Sequence, residues 1–207
     1  MQRRRTVATD NEGSVPKGNE MMVTVLNGIT RAEFRAWLKQ NAATEKECFV
    51  SVRRGRPTDE SQLWYLDAVE EALCFGWIDS VQKRIDGVLL QRFSPRKKGG
   101  LWTELNKARV RRLEKLGLMT DAGRAVLPPD HPFVPDPEVV SELRSAGVWE
   151  KFCTFPALYQ RIRIYNVCFY RGRDEKAYDR ALRHLIEETA KGRLFGEWND
   201  YGRLTEE

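Results

Sequence analysis

The chain has 207 residues, of which 41% are hydrophobic, and its 35 Lys and Arg outweigh 30 Asp and Glu to give a net charge of +5. That length suits one domain, or one domain with an appendage, and the apolar content excludes a disordered chain. The basic balance permits an anionic partner, but the charges are interspersed and read first as a solvated surface.

No stretch approaches the roughly 20 apolar residues of a bilayer-spanning helix. The basic start, MQRRR, is followed by no apolar run of the kind a secretory signal carries. The expected location is therefore the cytoplasm, with residues 1–20 as a flexible tail. Cys48, Cys74, Cys153 and Cys168 show no C-x-x-C spacing and sit among apolar neighbours, which predicts free thiols in a reducing compartment. His131 and His184 have no cysteine pair nearby, so neither a metal site nor a cofactor is expected.

A core domain is expected over residues 21–127. A short strand over 21–26 precedes Thr30, which opens a helix with Glu33 completing a capping box and Phe34, Trp37 and Leu38 as its apolar stripe. Residues 48–54 read as a strand, ended by Gly55 and Pro57, and residues 61–65 as a short extended piece. Residues 66–75 read as a helix with Leu66, Val69, Ala72 and Leu73 on one face and Asp67 and Glu71 pointing away. Gly76 stands where a left-handed cap belongs.

Asp86-Gly87 between two β-prone runs predicts a hairpin over about 78–95. An uninterrupted register would set Lys83 opposite Leu90 and Val81 opposite Arg92. Asp79 would then share a face with Lys83 and Arg92, within reach of an ion pair to Arg92. Residues 102–116 form the next predicted helix, with Trp102, Leu105, Leu113 and Leu116 in one stripe and Asn106 and Arg109 inside it. Polar groups there need partners, either structural ones or a ligand in a cleft. Thr120-Asp121 caps a short helix.

Five prolines over 128–137 make that segment the expected linker. Beyond it a helical region, 138–192, contains three helical stretches, with Arg161, Arg163, Arg171, Arg173, Arg180 and Arg183 on their outer faces. The tail over 193–207 carries Phe195, Trp198 and Tyr201, so docking is expected of it.

The densest chemistry lies between the hairpin and the helix that follows. Arg92, Arg96, Lys97 and Lys98 surround Phe93 and Pro95, and Gly99-Gly100 leads to a helix start. These are the ingredients of an anion pocket, although no P-loop spacing is present. No histidine, nucleophile elbow or Cys–His couple accompanies it.

The run Glu71-Ala72-Leu73-Cys74-Phe75-Gly76-Trp77-Ile78-Asp79, then Gln91-Arg92-Phe93-Ser94-Pro95-Arg96, then Trp102 and Asn106, resembles the signature of the bacterial YdeI/OmpD-associated family. Proteins of that family are also labelled bacteriocin-protection proteins. The resemblance extends from about Thr30 through the C-terminal helices, with Ser94 standing where Thr is common. It implies a link to protection from bacteriocins or cationic peptides and to envelope stress, with no reaction or cofactor attached.

The expected fold is α+β: a small antiparallel sheet containing the hairpin, covered by helices, plus a C-terminal helical appendage. The expected function is stress or bacteriocin protection by a binding module, with no recognisable catalytic constellation. Its ligand site would comprise Asp79, Lys83, Arg92, Arg96, Trp102 and Asn106, and would take a small anionic ligand or a protein partner. An enzyme acting on a phosphorylated or carboxylated metabolite, with Asp79 or Glu71 as acid/base, is the first alternative. The second is a nucleic-acid binder using the C-terminal helices, against which Asp174, Glu175, Asp179, Glu187 and Glu188 argue.

Overall fold

Thr30 starts helix α1 (Arg31–Asn41) through a complete capping box with Glu33, as its sequence predicts. In the computed structural model, which describes residues 3–6 and 22–204, α1 links two parallel strands, β2 (Met22–Leu26) and β3 (Cys48–Val50). Strand β1 (Arg3–Thr6) pairs antiparallel with β2. It falls within the segment read as a flexible tail, whose remaining residues lie outside those described. Helix α2 (Tyr65–Cys74) leads through Gly76, at φ 73°, into β4 (Trp77–Ile85) and β5 (Val88–Pro95). Asp86 and Gly87, both at positive φ, make the hairpin turn, matching the right-handed twist of the strands. The sheet order is β1-β2-β3-β5-β4, and it is mixed rather than purely antiparallel because α1 makes the β2–β3 crossover. The fold is α+β.

The structure divides into two units, residues 1–100 with 113–127 and residues 101–112 with 128–207. In the first, Phe34 packs on Phe93 with ring centroids 5.5 Å apart and Trp37 meets Trp77 edge-on at 5.7 Å. Phe34, Leu38, Leu73, Trp77 and Phe93 are essentially solvent-free, each contributing about 1.5–3 kcal/mol of burial. Helix α4 (Asp121–Arg124), capped by Thr120, completes this unit.

Asp67 and Glu71 do not point away from the core. Together with Glu70 they are buried on α2. Arg31 reaches all three, at 2.8, 3.1 and 2.7 Å for Asp67, Glu70 and Glu71, and Arg35 adds a 2.6 Å contact to Glu71. Burial alone would lower the Arg31 pKa, but Glu71 and Glu70 beside it hold it above the usual guanidinium value. The two helices therefore meet through an ionic seam as well as an apolar one.

In the second unit, α5 (Pro137–Ser145) begins on the Asp136 cap, α6 is Trp149–Cys153, α7 is Ala157–Cys168 and α8 is Glu175–Ala190, begun by Asp174. Gly147, at φ 68°, separates α5 from α6, and α6 is a short helix in addition to the three predicted stretches. Val139, Leu143, Phe152, Tyr159, Val167 and Leu185 form its core. Phe195 and Trp198 dock on that core with their rings edge-on to Tyr159, as expected of the aromatic tail. The N-terminal part of α3 (Glu104–Lys115) belongs here too, where Ala108 packs with Leu158, Ile162 and Leu204.

The arginines of this region are not uniformly outward. Arg163 lies between the rings of Tyr159 and Phe195, at 4.9 and 4.1 Å, and donates to the Phe195 carbonyl. Arg171 forks onto Asp136 at 2.7 and 2.8 Å. Arg173, Arg180 and Arg183 are exposed as predicted.

Candidate functional site

A one-residue irregularity in the hairpin decides which polar groups meet. Lys83 lies opposite Leu90 as predicted, but Gln82 pairs with Gln91 and Asp79 with Phe93, so β4 carries one extra residue between Asp79 and Gln82. Such a bulge moves every residue beyond it to the other face of the sheet. Asp79 therefore shares the face of Phe93 and Gln91, while Lys83, Leu90 and Arg92 occupy the opposite one. The expected Asp79–Arg92 pair does not form. Arg92 instead binds Glu47 at 2.6 Å and the Ser80 hydroxyl at 3.1 Å. Lys83, on the Arg92 face, is exposed.

Gln91 serves the carbonyls of the bulge. Its buried side-chain amide donates to Ser80 O at 2.9 Å, with a second, longer contact to Val81 O at 3.4 Å, and its Oε1 accepts from Arg54 Nη2 at 2.7 Å. Arg54 stacks over the Tyr65 ring at 3.7 Å, and the Tyr65 hydroxyl donates to Asp79 Oδ2 at 2.6 Å. Tyr65 is placed by a parallel bridge between Arg53 and Trp64, whose backbone bonds run from Arg53 N to Leu63 O and from Tyr65 N to Arg53 O. Arg53, one residue earlier, stacks on Trp64 at 5.1 Å. The chain of contacts Gln91–Arg54–Tyr65–Asp79 thus joins the loop after β3, the first residue of α2 and the bulged hairpin.

The Arg54 guanidinium is exposed yet ordered, with its Nε and Nη1 groups unbonded among the described residues. Asp79 is half-buried, with only Oδ2 engaged among those residues. Chemically the cluster offers a pre-set cation, a carboxylate and a phenol between them.

The remaining predicted residues fall elsewhere. Arg96 closes β5 by donating its backbone N–H to Gly76 O at 2.8 Å. Trp102 and Asn106 are buried residues of the second unit. There Asn106 accepts from Arg109 Nη1 at 2.8 Å, and Arg109 forks onto Asp200 at 2.7 Å on both oxygens. The polar residues in the α3 stripe therefore have structural partners, with Asn106 orienting an arginine. Arg54, Tyr65 and Gln91 escaped the sequence reading. Arg54 read as the last residue of a strand ended by Gly55, and only the bulge gives Gln91 its role. No group of three or more His, Cys, Asp or Glu suited to a metal occurs among the described residues, and none of their helices is long and apolar enough to cross a membrane.

A family model described as a domain of unknown function (DUF8412) matches residues 27–126. No curated protein and no solved structure matches the chain.

Proposed function

We propose that this chain is a bacterial stress- or bacteriocin-protection protein that works as a binding module, and that its ligand presents an anionic group. The family resemblance of the 71–106 motif supports the protective role. The observation that carries the binding reading is Arg54, an exposed arginine held in place by Tyr65 and Gln91 with N–H groups to spare. A free arginine side chain carries about 2 kcal/mol of rotamer entropy. One ordered in advance loses less of it when a ligand arrives, which favours binding. Arg92 suits the role poorly, since Glu47 already neutralises it. The proposed anion site is therefore centred on Arg54 beside Asp79.

The test is a thermal-shift series with phosphate, sulfate and citrate on the wild type, Arg54→Ala and Arg92→Ala, each shift measured from that protein's own unliganded midpoint. A ligand at 100 times its Kd stabilises by about 2.7 kcal/mol. The expected result is stabilisation that Arg54→Ala abolishes and Arg92→Ala retains. A blank panel, or equal stabilisation of all three proteins, rejects the reading.

A further inference from the structure

Asp79 sets beside the Arg54 anion site a second, opposite charge that a simple anion leaves unused. A carboxylate across one phenol ring from the guanidinium repels a purely anionic ligand and attracts an ammonium group. Building on the anion reading above, we infer that the Arg54–Tyr65–Asp79 cluster recognises a zwitterion of the short-peptide class, its carboxylate on Arg54 and its ammonium on Asp79.

The geometry separates the two charges instead of cancelling them. Arg54 is drawn toward Gln91 on one side of the Tyr65 ring, and the Tyr65 hydroxyl fixes one oxygen of Asp79 at 2.6 Å. The other carboxylate oxygen has no partner among the described residues, nor have Arg54 Nε and Nη1. Two opposite charges, each half-engaged and each held by a neighbour, present complementary ends to a ligand whose own charges lie several bonds apart. Arg54 supplies the planar fork that matches a carboxylate. The bulge is what makes this arrangement available, since without the extra residue Asp79 would lie on the Lys83–Arg92 face.

The experiment compares glycylglycine with N-acetylglycylglycine, which lacks the ammonium, by calorimetry on the wild type, Asp79→Asn, Tyr65→Phe and Arg54→Ala. Circular dichroism checks that each variant folds. Glycylglycine is expected to bind about tenfold more tightly than its acetylated form, the value of one charge-assisted hydrogen bond. Asp79→Asn should erase that preference while leaving the acetylated peptide bound at least as well, and Tyr65→Phe should reduce it. Arg54→Ala should remove both. Equal binding of the two peptides to the wild type, or a preference that survives Asp79→Asn, overturns the zwitterion inference and leaves the anion reading standing. The same separation follows if simple anions bind through Arg54 and neither peptide does. If neither peptides nor simple anions bind, both fall.

Discussion

Replacing Gly123 by alanine tests how closely α4 is pressed against the end of α2. Thr120, which caps α4, bonds the Cys74 carbonyl twice, through Oγ1 at 2.6 Å and through its backbone N–H at 3.1 Å. Gly123 lies one residue short of the end of α4, and its approach is so close that a Cβ would overlap the Cys74 carbonyl oxygen. It would lie 2.8 Å from that group's carbon and 2.9 Å from Leu73 O. These are backbone atoms, so no rotamer change relieves the clash. Restoring ordinary contact means moving α4 by roughly 1 Å, which sacrifices both Thr120–Cys74 bonds at about 1 kcal/mol each. Overpacking adds about 1–3 kcal/mol, and the better helix propensity of alanine returns about 1 kcal/mol. The net cost is about 2–4 kcal/mol, which for a chain of this size lowers the melting midpoint by roughly 5–15 °C. Gly117→Ala is the control in the same unit. Unlike Gly123 it has positive φ, at 67°, but its Cβ would meet nothing within 4 Å, so it should cost about 1–2 kcal/mol. Urea unfolding followed by tryptophan fluorescence and by circular dichroism measures both, and coincidence of the two probes licenses the free energies. If Gly123→Ala is no more destabilised than Gly117→Ala, the close approach of α4 has been misjudged.

Three further outcomes follow from the same structure. Arg171 hydrogen bonds, opposed by partial burial, pull the Asp136 carboxyl down from 3.8 to about 2. A depressed carboxyl contributes stability that is complete above its unfolded pKa and lost as pH falls toward 2. The midpoint gap between wild type and Asp136→Asn, a substitution that keeps a capping oxygen, should therefore be larger at pH 5 than at pH 2.5, and a constant gap contradicts the pairing. Arg31→Met leaves Asp67, Glu70 and Glu71 without their shared cation and should cost about 3–5 kcal/mol in urea unfolding; a loss under 1 kcal/mol would show the seam to be dispensable. Gln91→Leu takes the donor from Ser80 O and the acceptor from Arg54, with an expected cost of about 1–3 kcal/mol and weaker anion binding; unchanged stability and binding would remove Gln91 from the site.

What was legible in the sequence was local. The Thr30–Glu33 capping box, the left-handed Gly76 and the Asp86-Gly87 turn are each settled by residues within a few positions of one another. The apolar stripe of α2 was legible for the same reason. The fate of its acids was not, because Asp67 and Glu71 are buried only by virtue of arginines 36 residues away on α1. The bulge escaped because residues 78–85 alternate acceptably in either register, and that single residue carried Asp79 away from Arg92. The expected composite of Asp79, Lys83, Arg92, Arg96, Trp102 and Asn106 was built from nearness in sequence. The cluster around Asp79 is instead built from nearness in the sheet, with Arg54 and Gln91 37 residues apart.

The threading of the chain sets an order of events during synthesis. It passes from the first unit to the second at residue 101, back at 113 and out again at 128. On the ribosome, Arg109 emerges 91 residues before Asp200, its partner in the second unit. Through that interval the arginine and the neighbouring Ala108 surface wait without the tail that covers them. Contacts of such long separation are slow to form, because the loop they close must be ordered first. The first unit needs no residue beyond Leu127, so it can form ahead of the second. A chaperone that guards exposed apolar surface would find its substrate in the half-made second unit.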